Sequence, residues 1–281
     1  MLKKKKLKPL EKMKNTITNT NNIKLTTIQD NILNINKFIQ NNKNIDYEFP
    51  CIIIPYHNRV KIIDINLNIL LSNPKNKIIL AYSSDEDDIF LQKYNNDSLL
   101  KVRCNNNPLG YKFQYLIDVA KYINFENILI CGSDDFMEPQ YVEKIYNIYK
   151  DNPGRLIYGV NYIDCIYKSN IYTYKLSNHV KISGSGRLLS NKFLNKFDWK
   201  IYNTKLNYHI DNSCTSKLVD NEIYIADNMT ILSYKDHEYN MIHNFEIFKQ
   251  MNGNLSIIDK NINKDKYNFM EQINILLYNI C

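Results

Sequence analysis

Two adjacent carboxylates, Asp134 and Asp135, are the residues of this chain whose type and setting best suit chemistry. They lie in the stretch NILICGSDDFMEP, Asn127 to Pro139. There four apolar residues, Ile128 to Cys131, read as a buried strand that stops at Gly132-Ser133. Pro139 then opens a helical pattern, since the first turn of a helix has no use for the N–H that proline lacks. Acids delivered by the C-terminal end of a central strand sit where open α/β sheets bind ligands. Side by side they repel unless a cation or a proton offsets them. Ligands that are all oxygen suit a hard divalent ion, Mg²⁺ or Mn²⁺, which commonly also holds the phosphate oxygens of a substrate. The structural alternative is a solvated Asp-Asp turn.

The elements around this turn follow from periodicity. A helical stripe of Ile28, Ile32, Ile35, Phe38 and Ile39 comes first. Cys51 to Pro55 is a short apolar strand followed by Tyr56-His57-Asn58-Arg59, and Ile62 to Leu71 reads as a helix. Lys77 to Tyr82 is a second strand, ending in Ser83-Ser84 and four acids, Asp85 to Asp88, ahead of a short helix. Leu99 to Cys104 is a third, leading through Asn107-Pro108-Leu109-Gly110 into a helix with Phe113, Leu116, Ile117, Ala120 and Ile123 on one face. Strand and helix alternating in this way predict an α/β fold, a mostly parallel sheet with helices on both faces.

Beyond residue 150 the pattern becomes α+β. Arg155 to Ile163 and Ile171 to Leu176 read as antiparallel strands, and Ile182 to Arg187 as a glycine-containing loop. Helical patterns follow at Ser190 to Phe197 and Asn207 to Val219, then two short strands, Glu222 to Ala226 and Met229 to Tyr234. The last helices are expected at Ile242 to Lys249 and Tyr267 to Ile280. The expected organisation is a basic tail over 1–24 and one domain over 25–281. That domain divides into a first half (48–150), a second half (151–250) and a C-terminal helical extension (251–281).

Composition excludes some functions. The net charge is +7, but residues 1–24 alone hold eight Lys and one Glu, so the remainder is neutral. A nucleic-acid binder usually carries its basic surface on the folded domain, so no nucleic-acid partner is expected. The tail is polar enough to be expected disordered. Six cysteines are scattered without a C-x-x-C, several of them inside apolar runs, as buried free thiols are. With no secretory signal and no run long enough to span a bilayer, a reducing, cytoplasmic setting is expected. The first strand is not followed by G-x-G-x-x-G, nor is there a G-x-x-x-x-G-K-[ST], which argues against a Rossmann dinucleotide site and a P-loop.

P-Y-H-N-R after the first strand, S-S-D after the second, N-P-L-G-Y-K opening a helix and G-S-D-D after the fourth strand occur in a telling order. Together they resemble the nucleotide-sugar half of GT-A fold glycosyltransferases, closest to the family 2 inverting type, over about residues 48–245. The resemblance implies a metal-dependent enzyme that moves a sugar from a UDP- or GDP-linked donor to an acceptor hydroxyl, with Mn²⁺ or Mg²⁺ as cofactor. The acceptor, whether glycan, protein or lipid, is left open. Donor contacts would fall on Pro55, Tyr56, Asn58, Arg59, Asp85, Gly110, Lys112 and Asp134. Tyr56 would offer its ring to a base, and Asp85 would take a base or ribose donor. The metal would fall on Asp135 and Asp134, with His237 reaching back from the C-terminal part. The family's D-x-D motif is altered here, because Gly132 stands at its usual first position. Gly184, Gly186 and Arg187 match an acceptor-side loop, and Asp211 in Y-H-I-D-N-S matches the catalytic base, although Ile210 stands where a partner acid usually precedes it.

Two other classes compete with this reading. A nucleotidyltransferase can share such a sheet, but a Gly-rich phosphate loop would be expected where Tyr56 to Arg59 stand. A catalytically inactive carbohydrate-binding or assembly module would be consistent with the altered D-x-D.

Overall fold

The computed structural model describes residues 25–167, 170–176, 182–207, 210–234, 256–257 and 264–279. Helix α1 (Leu25–Asn41) is followed by β1 (Cys51–Pro55), α2 (Val60–Leu71), β2 (Lys77–Tyr82), α3 (Asp85–Leu91), β3 (Leu99–Arg103), α4 (Leu109–Ile123) and β4 (Ile128–Ile130). Strands β1, β2, β3 and β4 run parallel, as the alternation of strand and helix predicts. Their side chains alternate between two cores. Cys51 and Ile53 face one, with Ile79, Leu116, Ile117 and Phe193, while Ile52 and Ile54 face the other, with Ile63, Leu67 and Ile145. A parallel sheet covered on both faces needs strands that are apolar throughout, which is why CIIIP and KIILAY read so clearly.

Helix α1 protects the open edge. Asn31 donates to the Arg103 carbonyl at 2.7 Å and accepts from the Arg103 amide at 2.8 Å, so a side chain takes the place of a further strand beside β3.

After β4 the chain departs from expectation. Instead of passing directly to a helix it forms β5 (Asp135–Met137) before α5 (Tyr141–Asp151). Strand β5 belongs to a second sheet, separate from that of β1 to β4. The stretch expected as one strand over Arg155 to Ile163 is two, β6 (Ile157–Gly159) in the central sheet and β7 (Tyr162–Tyr167) in the second. Strand β8 (Asn170–Lys175) completes a hairpin with β7. The stretch expected as a loop contains β9 (Arg187–Leu189), which inserts antiparallel between β4 and β6. Helices α6 (Asn191–Lys196) and α7 (Ile210–Thr215) follow. Next come β10 (Ile223–Ile225), parallel to β6, and β11 (Ile231–Tyr234), antiparallel to β5. Strand β12 (Ser256–Ile257) and helix α8 (Lys264–Asn279) close the described chain. The helix expected at Ile242 to Lys249 lies outside the described residues.

The central sheet therefore runs β10-β6-β9-β4-β1-β2-β3, with one antiparallel strand, β9, in its middle. A third core, built from Ile62, Ile65, Phe136, Leu232, Met270 and Leu277, packs α2 and α8 against the second sheet. The five described cysteines are buried free thiols. No helix among the described residues is long and apolar enough to cross a membrane.

Gly186 marks the entry to β9. Its φ of +69° favours glycine, and a Cβ there would collide with Ile231 and the Tyr141 hydroxyl, which itself donates to the Gly186 carbonyl at 2.8 Å. Gly186→Ala is expected to destabilise the protein by roughly 2 kcal/mol or more, because strain and overpacking add at one buried position. Urea unfolding checks this, and an unchanged midpoint would contradict it.

Candidate functional site

The tips of β1, β2 and β4 meet at one rim. The turn after β4 is held from three directions. Arg59, at the N-terminal boundary of α2, places Nη1 2.9 Å from Asp134 Oδ1 and donates to Ser133 Oγ at 2.9 Å. On the opposite side the Ser233 hydroxyl of β11 donates to the Asp135 carboxylate, while the Tyr234 amide donates to the Asp134 carbonyl at 2.9 Å. From below, Asn66 of α2, fully buried, donates to the Asp135 carbonyl at 2.9 Å. Each acid thus has its own partner, Asp134 the Arg59 guanidinium and Asp135 the Ser233 hydroxyl.

Gly132 explains the altered D-x-D position. A Cβ there would strike the Asp135 carboxylate, so the glycine leaves the space that carboxylate occupies. Among the described residues no cluster of three or more His, Cys, Asp or Glu could hold a metal. The turn nevertheless fits a divalent ion of the Mg²⁺ or Mn²⁺ kind. Its donors are carboxylate oxygens, and such ions commonly take one or two protein carboxylates and complete their shell from substrate phosphates and water. His237, the expected third ligand, lies outside the described residues.

On the β2 side the acid that faces inward is not the expected Asp85. Asp85 points outward and pairs with Arg103 at 2.5 Å, its side chain 79% exposed. Asp87 is the one turned inward, with only 1% of its side chain exposed. It accepts from the Asn58 amide at 3.0 Å and the Ser84 amide at 3.3 Å, and His57 Nδ1 lies 3.4 Å away. Burial pushes this carboxyl up, but donors from Asn58, His57, Ser83 and Ser84 outweigh it and hold the group below the usual carboxylate range. The signal was present in the sequence: Ser84-x-x-Asp87 is a capping box, and Ser84 does accept from the Asp87 amide.

Other expected donor residues are engaged within the fold. Pro55 is the buried last residue of β1. Tyr56, expected to offer its ring to a base, is wholly buried with its ring 6.3 Å from that of Phe90. Asn58 adopts φ +52°, which turns its amide toward Asp87. Gly110 faces the 203–206 segment, its amide donating to the Leu206 carbonyl at 2.8 Å, and a Cβ there would strike the Asn203 carbonyl. Lys112 is fully buried and donates to the Tyr56 carbonyl at 2.7 Å. It braces the β1 tip from beneath instead of reaching toward a ligand.

Across the rim, the Gly132 amide donates to Ser185 Oγ at 2.9 Å. Next to Ser185, Gly184 backs directly onto the Asp211 carboxylate, which a Cβ would strike. The acid turn and Asp211, in the first turn of α7, are thereby linked through two neighbouring residues. Arg187, expected to face an acceptor, is completely buried. It donates through Nε to the Ser183 carbonyl at 3.0 Å and through Nη2 to that of Ile182 at 3.3 Å, bracing the same loop from within.

No family model matches this chain, and no curated protein does. Solved structures do. S. aureus TarS 1–349 matches with a TM-score of 0.53 and 15% identity over 66% of this chain and 60% of that one. The same TarS fragment in complex with UDP-GlcNAc matches with a TM-score of 0.55 over 68% of this chain, and in complex with UDP with 0.53. The fold is of the GT-A type. The GT-A chain spans about 60% of the length of the TarS fragments it matches.

Lys112 supplies a test of this support. Burial lowers its ammonium to about 8, with Cys104 and Asp87 opposing. Below that value the folded protein keeps a buried charge, and above it the folded form loses the proton before the unfolded chain does. Stability relative to Lys112→Met should therefore rise with pH from 8 toward the ordinary lysine value of about 10.4. Paired denaturation curves across that window check this, and a flat difference would contradict it.

Proposed function

We propose that the chain is a glycosyltransferase that passes a sugar from a UDP-linked donor to an acceptor hydroxyl, with inversion. The observation carrying this reading is the coupling of the acid turn to Asp211 through Ser185 and Gly184. It sets acids suited to a leaving diphosphate and a carboxylate suited to an attacking hydroxyl around one rim. The GT-A fold and the UDP-GlcNAc complex of the similar TarS support the choice of donor.

In this mechanism Asp135, with Asp134, would hold Mn²⁺ or Mg²⁺ against the donor. When bound, such an ion offsets charge on the departing nucleoside diphosphate. Asp87 and the Asn58 backbone shape the β1–β2 side of the rim, where the nucleoside would lie. The guanidinium of Arg59, planar and forked, suits phosphate oxygens. Asp211 accepts the proton of the acceptor hydroxyl as its oxygen attacks the anomeric carbon, and the bond to the diphosphate breaks on the opposite face. The loop braced by Arg187 fixes where Asp211 stands.

A panel of UDP-sugars with Mn²⁺, assayed for released nucleotide, tests the activity. UDP release supports it, whereas pyrophosphate release would mark a nucleotidyltransferase and no release an inactive module. Asp211→Asn is expected to lower turnover by roughly 10²–10⁴-fold, with UDP affinity by calorimetry unchanged. Undiminished turnover would remove Asp211 from the role of base. Asp135→Asn is expected to abolish turnover without lowering the melting temperature, because it relieves repulsion between neighbouring carboxylates. Loss of folding would mark Asp135 as a structural acid.

A further inference from the structure

Arg59 holds the very acid that a metal would use. Its Nη1 lies 2.9 Å from Asp134 Oδ1, and the two side chains are only 18% and 14% exposed. The same nitrogen donates to Ser133 Oγ, so the contact is a shaped one and not a loose surface pair. A guanidinium in this place neutralises the carboxylate and occupies one of its oxygens. A divalent ion approaching the same acid meets a positive charge at short range in a partly desolvated setting, where repulsion is strong.

The two cations therefore cannot use Asp134 independently. A nucleoside diphosphate changes the balance, because its oxygens can take both the metal and a guanidinium leaving Asp134. We propose that Arg59 is the internal counter-cation of the acid turn, competing with the divalent ion for Asp134 until a diphosphate draws it away. Metal without nucleotide then binds weakly, and metal and nucleotide bind cooperatively. The inference rests on the proposed function's reading of the turn as a metal site.

Mn²⁺ binding, followed by the electron paramagnetic resonance of the free ion and by calorimetry, tests it in the full chain without turnover. Without nucleotide, Arg59→Gln is expected to bind Mn²⁺ about tenfold more tightly than the wild type, since a repelling charge is removed. With Mn²⁺ present, UDP is expected to bind the same variant more weakly. Equal or weaker Mn²⁺ binding by Arg59→Gln, beside measurable wild-type binding, would overturn the role of Arg59 and leave the metal reading standing. Absence of Mn²⁺ binding by either protein, with or without UDP, would overturn the metal reading and this inference with it. Should the variant fail to fold, Mg²⁺ and UDP titration of the wild type, observed through arginine side-chain ¹⁵N resonances, decides the matter. Movement of the Arg59 signal supports the competition, and a fixed signal while the Asp135 amide shifts would overturn it.

Discussion

Two carboxylates on neighbouring residues repel, and here each is held by its own hydrogen-bond donor beside Gly132. Asp134 is drawn toward the β1 tip by Arg59, and Asp135 toward β11 by Ser233. The acid turn can be held this way because it is where the chain leaves the central sheet and enters the second. Strand β4 ends at Ile130, and β5 begins at Asp135. Five residues further along than β4, the backbone is already paired to a different set of strands. The sheet junction and the acid turn are one feature.

The rest of the rim is arranged around that junction with buried polar groups. Lys112 supports the Tyr56 carbonyl, Asn66 supports that of Asp135, and Arg187 supports those of Ile182 and Ser183. Each puts a polar side chain into the core to hold a backbone segment. Burying such groups costs free energy unless they are hydrogen-bonded, so their use here favours precision of the rim over ease of folding. Arg187 keeps Nη1 without a hydrogen-bond partner among the described residues, as Asn66 does with Oδ1.

The parallel half of the fold was legible because its strands are buried on both faces and its helices carry one apolar face. What was hidden were strands of three residues. Asp135-Phe136-Met137 and Arg187-Leu188-Leu189 each begin with a charged residue and are too short to show a period. The divided stretch from Leu156 to Ile163 is apolar almost throughout, and nothing local tells which sheet each part joins. The positions of the acid turn after β4 and of Asp211 in the first turn of a helix could be read from residue type and order. The choice of Asp87 over Asp85 depended on which face of a single helical turn looks inward, and only the capping box signalled it. That Lys112, Tyr56 and Arg187 would be buried supports could not be read from residue type, since lysine and arginine are mostly exposed in proteins.

In the function proposed above, the turn at Asp134 and Asp135 receives the diphosphate of a nucleotide sugar. The most direct measurement is a crystal structure of the full chain grown with UDP and Mn²⁺. The diphosphate is expected on the β1–β4 rim, between Arg59 and Asp135, with Asp87 on the nucleoside side. UDP located elsewhere, for example in the cleft of about 450 Å³ lined by Tyr111, Gln114, Asp118 and Tyr202, with the acid turn empty, would contradict it.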